Sequence, residues 1–214
     1  MMRLGEFFNK SVFPCRENYR WLIESLASLK LKVERIADFG CGNGLETLLL
    51  MCVLNACEGV GIDKCEDNIR NAQDDIETIQ NIILAKGVEY DAPAFLKSGV
   101  ESSVRYYVRD ITEPTLLTSD YYDIAFCNRV LYHIFLGDGE NKSKAQSVVD
   151  ELRRIVKPGG VVAMCEPTLR TRMGSFCADF KPFFEKANLT PVHIKVRELE
   201  YGTDTEYIYV KESL

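Results

Sequence analysis

The segment that constrains this chain most is Arg35-Ile-Ala-Asp-Phe-Gly-Cys-Gly-Asn-Gly44, in which a short β-like run opens directly into three alternate glycines. An apolar stretch, "LETLLLMCVLNA" (45–56), follows at once and suits a buried helix. A strand that passes through a glycine loop into a helix is characteristic of parallel sheets, whose connections must cross over and whose ligands gather at the carboxyl ends of the strands. Taken by itself the loop has two readings. It is either a tight turn that needs glycine for its backbone, or a place where main chain approaches a ligand closely.

The rest of the chain repeats the alternation. "EGVGID" (58–63) reads as a second strand, and "EDNIRNAQDDIETIQNIILAKG" (66–87) as a helix carrying Ile69, Ile76, Ile79 and Ile83 and ended by Gly87. "VRYYVRD" (104–110) and "YDIAFCN" (122–128) are strands three and four, and a helix is expected over 140–157. "PGG" (158–160) then reads as a turn into a fifth strand, "VVAMCEP" (161–167). Near the end, "PVHIKVREL" (191–199) and "TEYIYVK" (205–211) both alternate and are separated by "EYGTD", which predicts an antiparallel hairpin. Residues 1–34, with "ENYRWLIESLASLKLK" as a helix, are expected to cap the carboxyl edge of the sheet. The pattern as a whole predicts an α/β fold with strands joined by crossovers.

Composition narrows the class. A chain of 214 residues, 46% hydrophobic and 27% charged, is globular and long enough for one sizeable domain, with no repeat or linker to divide 1–214. The longest mostly apolar stretch, "LLLMCVLNAC" (48–57), is about half of a membrane span, so no membrane association is expected. The start, "MMRLGEFFNKSVF", shows no signal-peptide pattern, which predicts a cytoplasmic protein. A net charge of −6 argues against broad binding to nucleic acid. Eight cysteines without a C-x-x-C pair, and only two histidines, read as reduced structural thiols with no metal site.

Two carboxylates add to the loop. Asp63 ends the second strand 19 residues after Gly44, where an acidic side chain accepts hydrogen bonds from both hydroxyls of a ribose. Asp110 ends the third strand and offers an acceptor for an adenine amino group beside apolar Ile111. A dinucleotide fingerprint would be G-x-G-x-x-G, but Gly40, Gly42 and Gly44 are spaced G-x-G-x-G and position 45 is leucine. Asp38, two residues before the first glycine, supplies a carboxylate for a ligand's ammonium group. A dinucleotide gives no reason for it. S-adenosylmethionine does, because its methionyl end carries an amino group.

On these residues the chain resembles the class I S-adenosylmethionine-dependent methyltransferases. "IADFGCGNG" (36–44) is similar to that family's D/E-x-G-x-G-x-G motif, "GVGID" (59–63) to its second-strand acidic motif, and "YVRDI" (107–111) to its adenine-contacting one. "YDIAFCNRVLYHI" (122–134) resembles the fourth-strand motif with its LHH-like helix start, and "LRRIVKPGGVVAMCEP" (152–167) the L-x-R-V-L-K-P-G-G motif. The resemblance implies a Rossmann-like seven-stranded sheet, mostly parallel with a C-terminal antiparallel hairpin and helices on both faces. Within the single domain, 35–214 would be the core. It also implies that Asp38 and the loop Gly40, Cys41, Gly42 and Gly44 hold the methionine moiety. Asp63 would take the ribose, Asp110 and Ile111 the adenine, and Asn128 would face the methyl to be transferred.

The acceptor is less constrained. Methyl transfer from a sulfonium is an in-line displacement that needs alignment and dryness, with a base only where the acceptor must lose a proton. His133 is the candidate base, with packing near the loop as its other role; Tyr132 replaces the first histidine of the pattern. Arg129, at a spot commonly apolar, either meets an acidic substrate or points to solvent. Arg170 lies in "TLRTRMGSFCADFKPFF" (168–184), which either covers the acceptor or places its phenylalanines in a helix core. The strand-four motif contains no N/D-P-P-Y/F, which weakens the case for methylating adenine or glutamine amines. The first expectation is a methyltransferase for an oxygen or nitrogen of a small molecule, working as a monomer or homodimer. The alternatives are a protein side chain or RNA as acceptor, a binding module that holds S-adenosylmethionine without turnover, and, last, a nicotinamide oxidoreductase.

Overall fold

Apolar runs bounded by polar residues set the strand positions. β1 (Arg35–Phe39) and β2 (Glu58–Asp63) fall where the sequence places them, β1 buried from Ile36 onward and β2 buried along all but its ends. The computed structural model describes residues 17–74, 104–136, 141–171, 174–176, 179–199 and 202–212. Contacts along the chain divide it into two units, residues 1–109 and 110–214.

In the first unit, α1 (Glu17–Ser28) buries Leu22, Ile23 and Leu26 and packs against α2 (Leu45–Leu54). α2 is apolar nearly all round and buries Leu48, Leu49, Leu50 and Met51, as expected for a helix with no face to give to water. α3 (Glu66–Asp74) is the described part of the helix expected over 66–87. It turns Ile69 and Ala72, three residues apart, inward and keeps Glu66 and Asp67 in its first turn, where they oppose the helix dipole. β2 lies between β1 and β3 (Val104–Val108), all parallel, with Asp38 level with Gly61 and Asp63 level with Val108.

The second unit is built on β4 (Tyr122–Phe126), β5 (Val156–Thr171), β7 (Thr190–Leu199) and β8 (Gly202–Val210), in the order β4-β5-β8-β7. β4 and β5 are parallel, and β8 runs against both β5 and β7. The final hairpin is therefore as expected. Its connection is shorter, because Leu199 already faces Gly202. α4 (Leu131–Leu136) and α5 (Lys142–Ile155) connect β4 to β5, and α5 buries Ala145, Val148, Val149, Leu152 and Ile155 along one face. α6 (Lys181–Lys186) lays Phe184 on the sheet, its ring stacked 4.2 Å from Tyr209, while Phe180 meets Tyr207 edge-on at 6.3 Å. For Phe180 and Phe184 the core reading holds, since both are fully buried.

Two details differ from expectation. The "PGG" stretch lies inside β5, because the Gly159 amide donates to the carbonyl of Lys211 (2.7 Å) and Lys211 donates back to Gly160 (3.0 Å). A partner strand thus holds what looked like a free turn. A short strand, β6 (Gly174–Phe176), also folds back on β5 with Leu169 opposite Phe176, inside a segment that gave no strand signal.

Candidate active site

In the first unit, β1 hands the chain to a loop whose Gly40, Gly42 and Gly44 all have positive φ (76°, 54° and 74°). Gly44 is the most tightly placed. A Cβ there would meet Tyr106 Cζ and Oη at 2.6 Å, and the Tyr106 hydroxyl donates to the Gly44 carbonyl at 3.1 Å. The loop amides are already engaged. Gly40 and Cys41 donate to the carbonyl of Ile62 (2.7 and 3.0 Å), Gly42 to Asp63 Oδ2 (3.0 Å), and Gly44 to the carbonyl of Cys41 (2.9 Å). A phosphate cradle presents free backbone N–H groups. This loop instead presents carboxyl groups.

Asp38 is buried at the end of β1 and accepts a hydrogen bond from Thr47 Oγ1 (2.6 Å) on Oδ2, the one hydrogen bond its carboxyl accepts among the described residues. Burial pushes its pKa up to about 8, against the opposing Thr47 hydrogen bond and with help from the negative charges of Glu46 and Asp63. Burial raises the Cys41 thiol and the Tyr106 phenol as well, so both stay neutral at physiological pH. Asp63 is half-buried. Its Oδ1 accepts from the Cys65 amide (2.8 Å) and Asn68 Nδ2 (3.5 Å), which fixes the carboxylate beside the loop while two oxygens with further lone pairs remain for hydroxyl donors.

In the second unit, Asp110 forms an Asx-type turn, its Oδ1 accepting from the Thr112 amide (2.9 Å) and hydroxyl (2.8 Å), and Ile111 beside it is buried. Half-buried Asn128 follows β4, in a connection whose Cys127 and Arg129 amides still bond to Ala163 and Cys165 of β5, each at 3.0 Å. Arg129 adopts a left-handed backbone (φ 57°) and gives one guanidinium nitrogen to both oxygens of fully buried Asp204 (2.9 and 2.7 Å). Its partner is neither of the two expected. It neutralises an aspartate in the middle of the sheet. Tyr132 and exposed His133 sit on α4 with ring centroids 3.8 Å apart. The backbone of Arg170 pairs with Ser175, while its side chain lies outside the described residues.

Sequence reasoning passed over Glu166, which is 2% exposed on β5. Its Oε1 accepts from the amides of Val130 and Leu131, and its Oε2 from Tyr132, all at 3.1 Å. Burial pushes its pKa up to about 7 despite these three bonds and the charge of Arg129. The available signal was an acidic residue inside the apolar run "VVAMCEP". Glu206, also fully buried, is held by His193 (3.0 Å) and Arg197 (2.6 Å) of β7.

Residues 37–164 match the family model described as "Methyltransferase domain". That is more than half of the chain, and the chain belongs to this family: it is a class I S-adenosylmethionine-dependent methyltransferase, an enzyme. Among solved structures it is similar to the N-methyltransferase NodS from Bradyrhizobium japonicum WM9 in complex with S-adenosyl-L-homocysteine. The TM-score is 0.66 at 16% identity, over 95% of this chain and 90% of that one. A putative sarcosine dimethylglycine methyltransferase from Galdieria sulphuraria gives 0.62 at 11% identity, covering 92% and 86%. The [4+2]-cyclase SpnF gives 0.63 at 14%, covering 91% and 82%. These likenesses establish the fold, a Rossmann-like mixed sheet of seven principal strands ending in an antiparallel hairpin, as the motifs imply. Comparison with curated protein sequences gives no significant match.

Proposed function

We propose that this methyltransferase moves the methyl group of S-adenosylmethionine, by in-line displacement, to an oxygen or nitrogen of a small-molecule acceptor. One observation carries the donor's identity. The amides of Gly40, Cys41, Gly42 and Gly44 are all bonded within the protein, while Asp38 and Asp63 stand at the same loop as acceptors. Such a loop suits a ligand with an ammonium group and ribose hydroxyls and does not suit a pyrophosphate. NodS, whose structure contains S-adenosyl-L-homocysteine, supports the same reading.

In this reading Asp38 receives the ammonium, the glycines let the methionyl end lie against bare backbone, and Asp63 binds the ribose. Asp110 and Ile111 take the adenine, and Asn128 borders the reacting methyl. When bound, S-adenosylmethionine supplies a methyl already activated by its sulfonium charge. The protein's share is alignment and exclusion of water. In the same reading His133, exposed on α4, accepts a proton from an acceptor that must lose one, and Tyr132 and Arg170 are assigned to the acceptor side, while Arg129 is taken up by Asp204. The domain proposed is a single catalytic one over 1–214, with residues 17–34 as part of a cap whose first 16 residues lie outside the described ones.

Transfer of radiolabelled methyl from S-adenosylmethionine to a panel of amines, phenols and carboxylic acids tests this. Labelling of at least one small molecule supports it. Labelling confined to protein or RNA overturns the acceptor class, and tight cofactor binding with no transfer to any acceptor makes the chain a binding module.

A further inference from the structure

The connection from β4 to α4 is held by buried acids of two strands. Arg129 is drawn to Asp204 of β8, and the next three amides, Val130, Leu131 and Tyr132, all donate to Glu166 of β5. The first amides of a helix have no partner within it, so the position of α4's first turn depends on what those amides bond to. That turn carries Tyr132 and His133, whose rings lie together. A glutamine or a leucine in Glu166's place would fill the same volume, yet neither accepts three amide donors at once. The carboxylate remains there against the cost of burying it.

We propose that Glu166 is a positioning residue for methyl transfer: by binding the amides of Val130, Leu131 and Tyr132 it fixes where Tyr132 and His133 stand toward the acceptor. The proposal rests on the methyltransferase reading given above for its catalytic part alone. In this scheme Glu166 governs acceptor alignment and leaves cofactor affinity untouched. Its ionised form is the better acceptor, and its elevated pKa places the loss of the cap near neutral pH. The charged and titratable groups on the elements around it are Arg129 on the connection, Tyr132 and His133 on α4, and Cys165 on β5. β8 adds Asp204, Glu206 and Tyr207, and β7 adds His193 and Arg197 paired to Glu206.

The test is Glu166→Gln. A glutamine oxygen can keep the donors on one side of the cap, while its amide group confronts the donor on the other. With only His133 and His193 in the chain, imidazole NMR resolves both rings. The proposal expects a changed His133 resonance and titration, an unchanged His193, and amide exchange at 130–132 at least tenfold faster. It also expects a dissociation constant for S-adenosylmethionine within twofold of wild type. With the best acceptor from the panel, the rate should fall at least tenfold, and the acid-side decline that Glu166 contributes near pH 7 should be missing from the variant's profile, while any decline from protonation of Asp38 or His133 persists. Unchanged His133 and amide signals overturn the proposal, as does an equal rate with an unaltered pH profile. If the wild type binds cofactor but methylates nothing, the functional reading fails, and the His133 and amide signals still decide the role of Glu166.

Discussion

Asp38 supplies the most demanding prediction. Its folded pKa of about 8 lies far above the ordinary 3.8, so between those values the folded state keeps a proton that the unfolded chain releases. Stability from this group is therefore fully present below about pH 4 and is lost as pH rises to about 8, where the loss levels off. At roughly 1.4 kcal/mol per pH unit, the window sets a ceiling of about 6 kcal/mol. Asp38→Asn keeps an acceptor for Thr47 and removes the titration. Even a third of the ceiling, about 2 kcal/mol, raises the melting temperature by roughly 4–8 °C at pH 8 for a chain of this size. The assay is thermal unfolding of wild type and variant from pH 4.5 to 8.5. The two curves should converge at low pH and separate upward, with the variant the more stable. The same carboxyl must ionise to meet an ammonium, so cofactor binding at pH 7 should release close to one proton, measured as a buffer-dependent heat in calorimetry. The variant should bind more weakly and release none. Parallel melting curves, or binding without proton release in the wild type, would refute the reasoning.

Other expectations follow from single contacts. Gly44→Ala forces a Cβ toward the Tyr106 ring at a left-handed residue and should cost about 2–4 kcal/mol in urea unfolding. Tyr106→Phe keeps the ring and removes the hydroxyl that bonds Gly44, and should cost about 1 kcal/mol, so equal losses would contradict the packing described. Asp204→Ala leaves Arg129 without its counter-charge and should cost about 3–5 kcal/mol, whereas the apolar pair Arg129→Met with Asp204→Leu should restore most of it. If the double variant is as unstable as the single, the buried pair is not what Asp204 provides.

Much of this molecule is legible in its sequence because the signals are local. β1 and β2 are bounded by residues that change polarity at each end, and the loop glycines announce themselves by spacing. What escapes is set by residues distant along the chain. The Gly159–Gly160 stretch looks like a turn until the backbone of Lys211 pairs with it. Arg129 reads as a substrate or solvent contact because its partner, Asp204, stands 75 positions later. Glu166 reads as one acid in an apolar strand, since the amides it binds lie 34 to 36 residues earlier. β6 escapes for a different reason: a three-residue strand is too short to show alternation.

The central claim is that the loop after β1 holds S-adenosylmethionine through carboxylates. Isothermal titration with S-adenosyl-L-homocysteine, NAD and inorganic pyrophosphate, on wild type and Asp63→Ala, tests it most directly. S-adenosyl-L-homocysteine should bind the wild type at micromolar concentration and at least tenfold more weakly to Asp63→Ala, while NAD and pyrophosphate give no heat. Absence of S-adenosyl-L-homocysteine binding at millimolar concentration, or NAD binding of equal strength, would contradict the account.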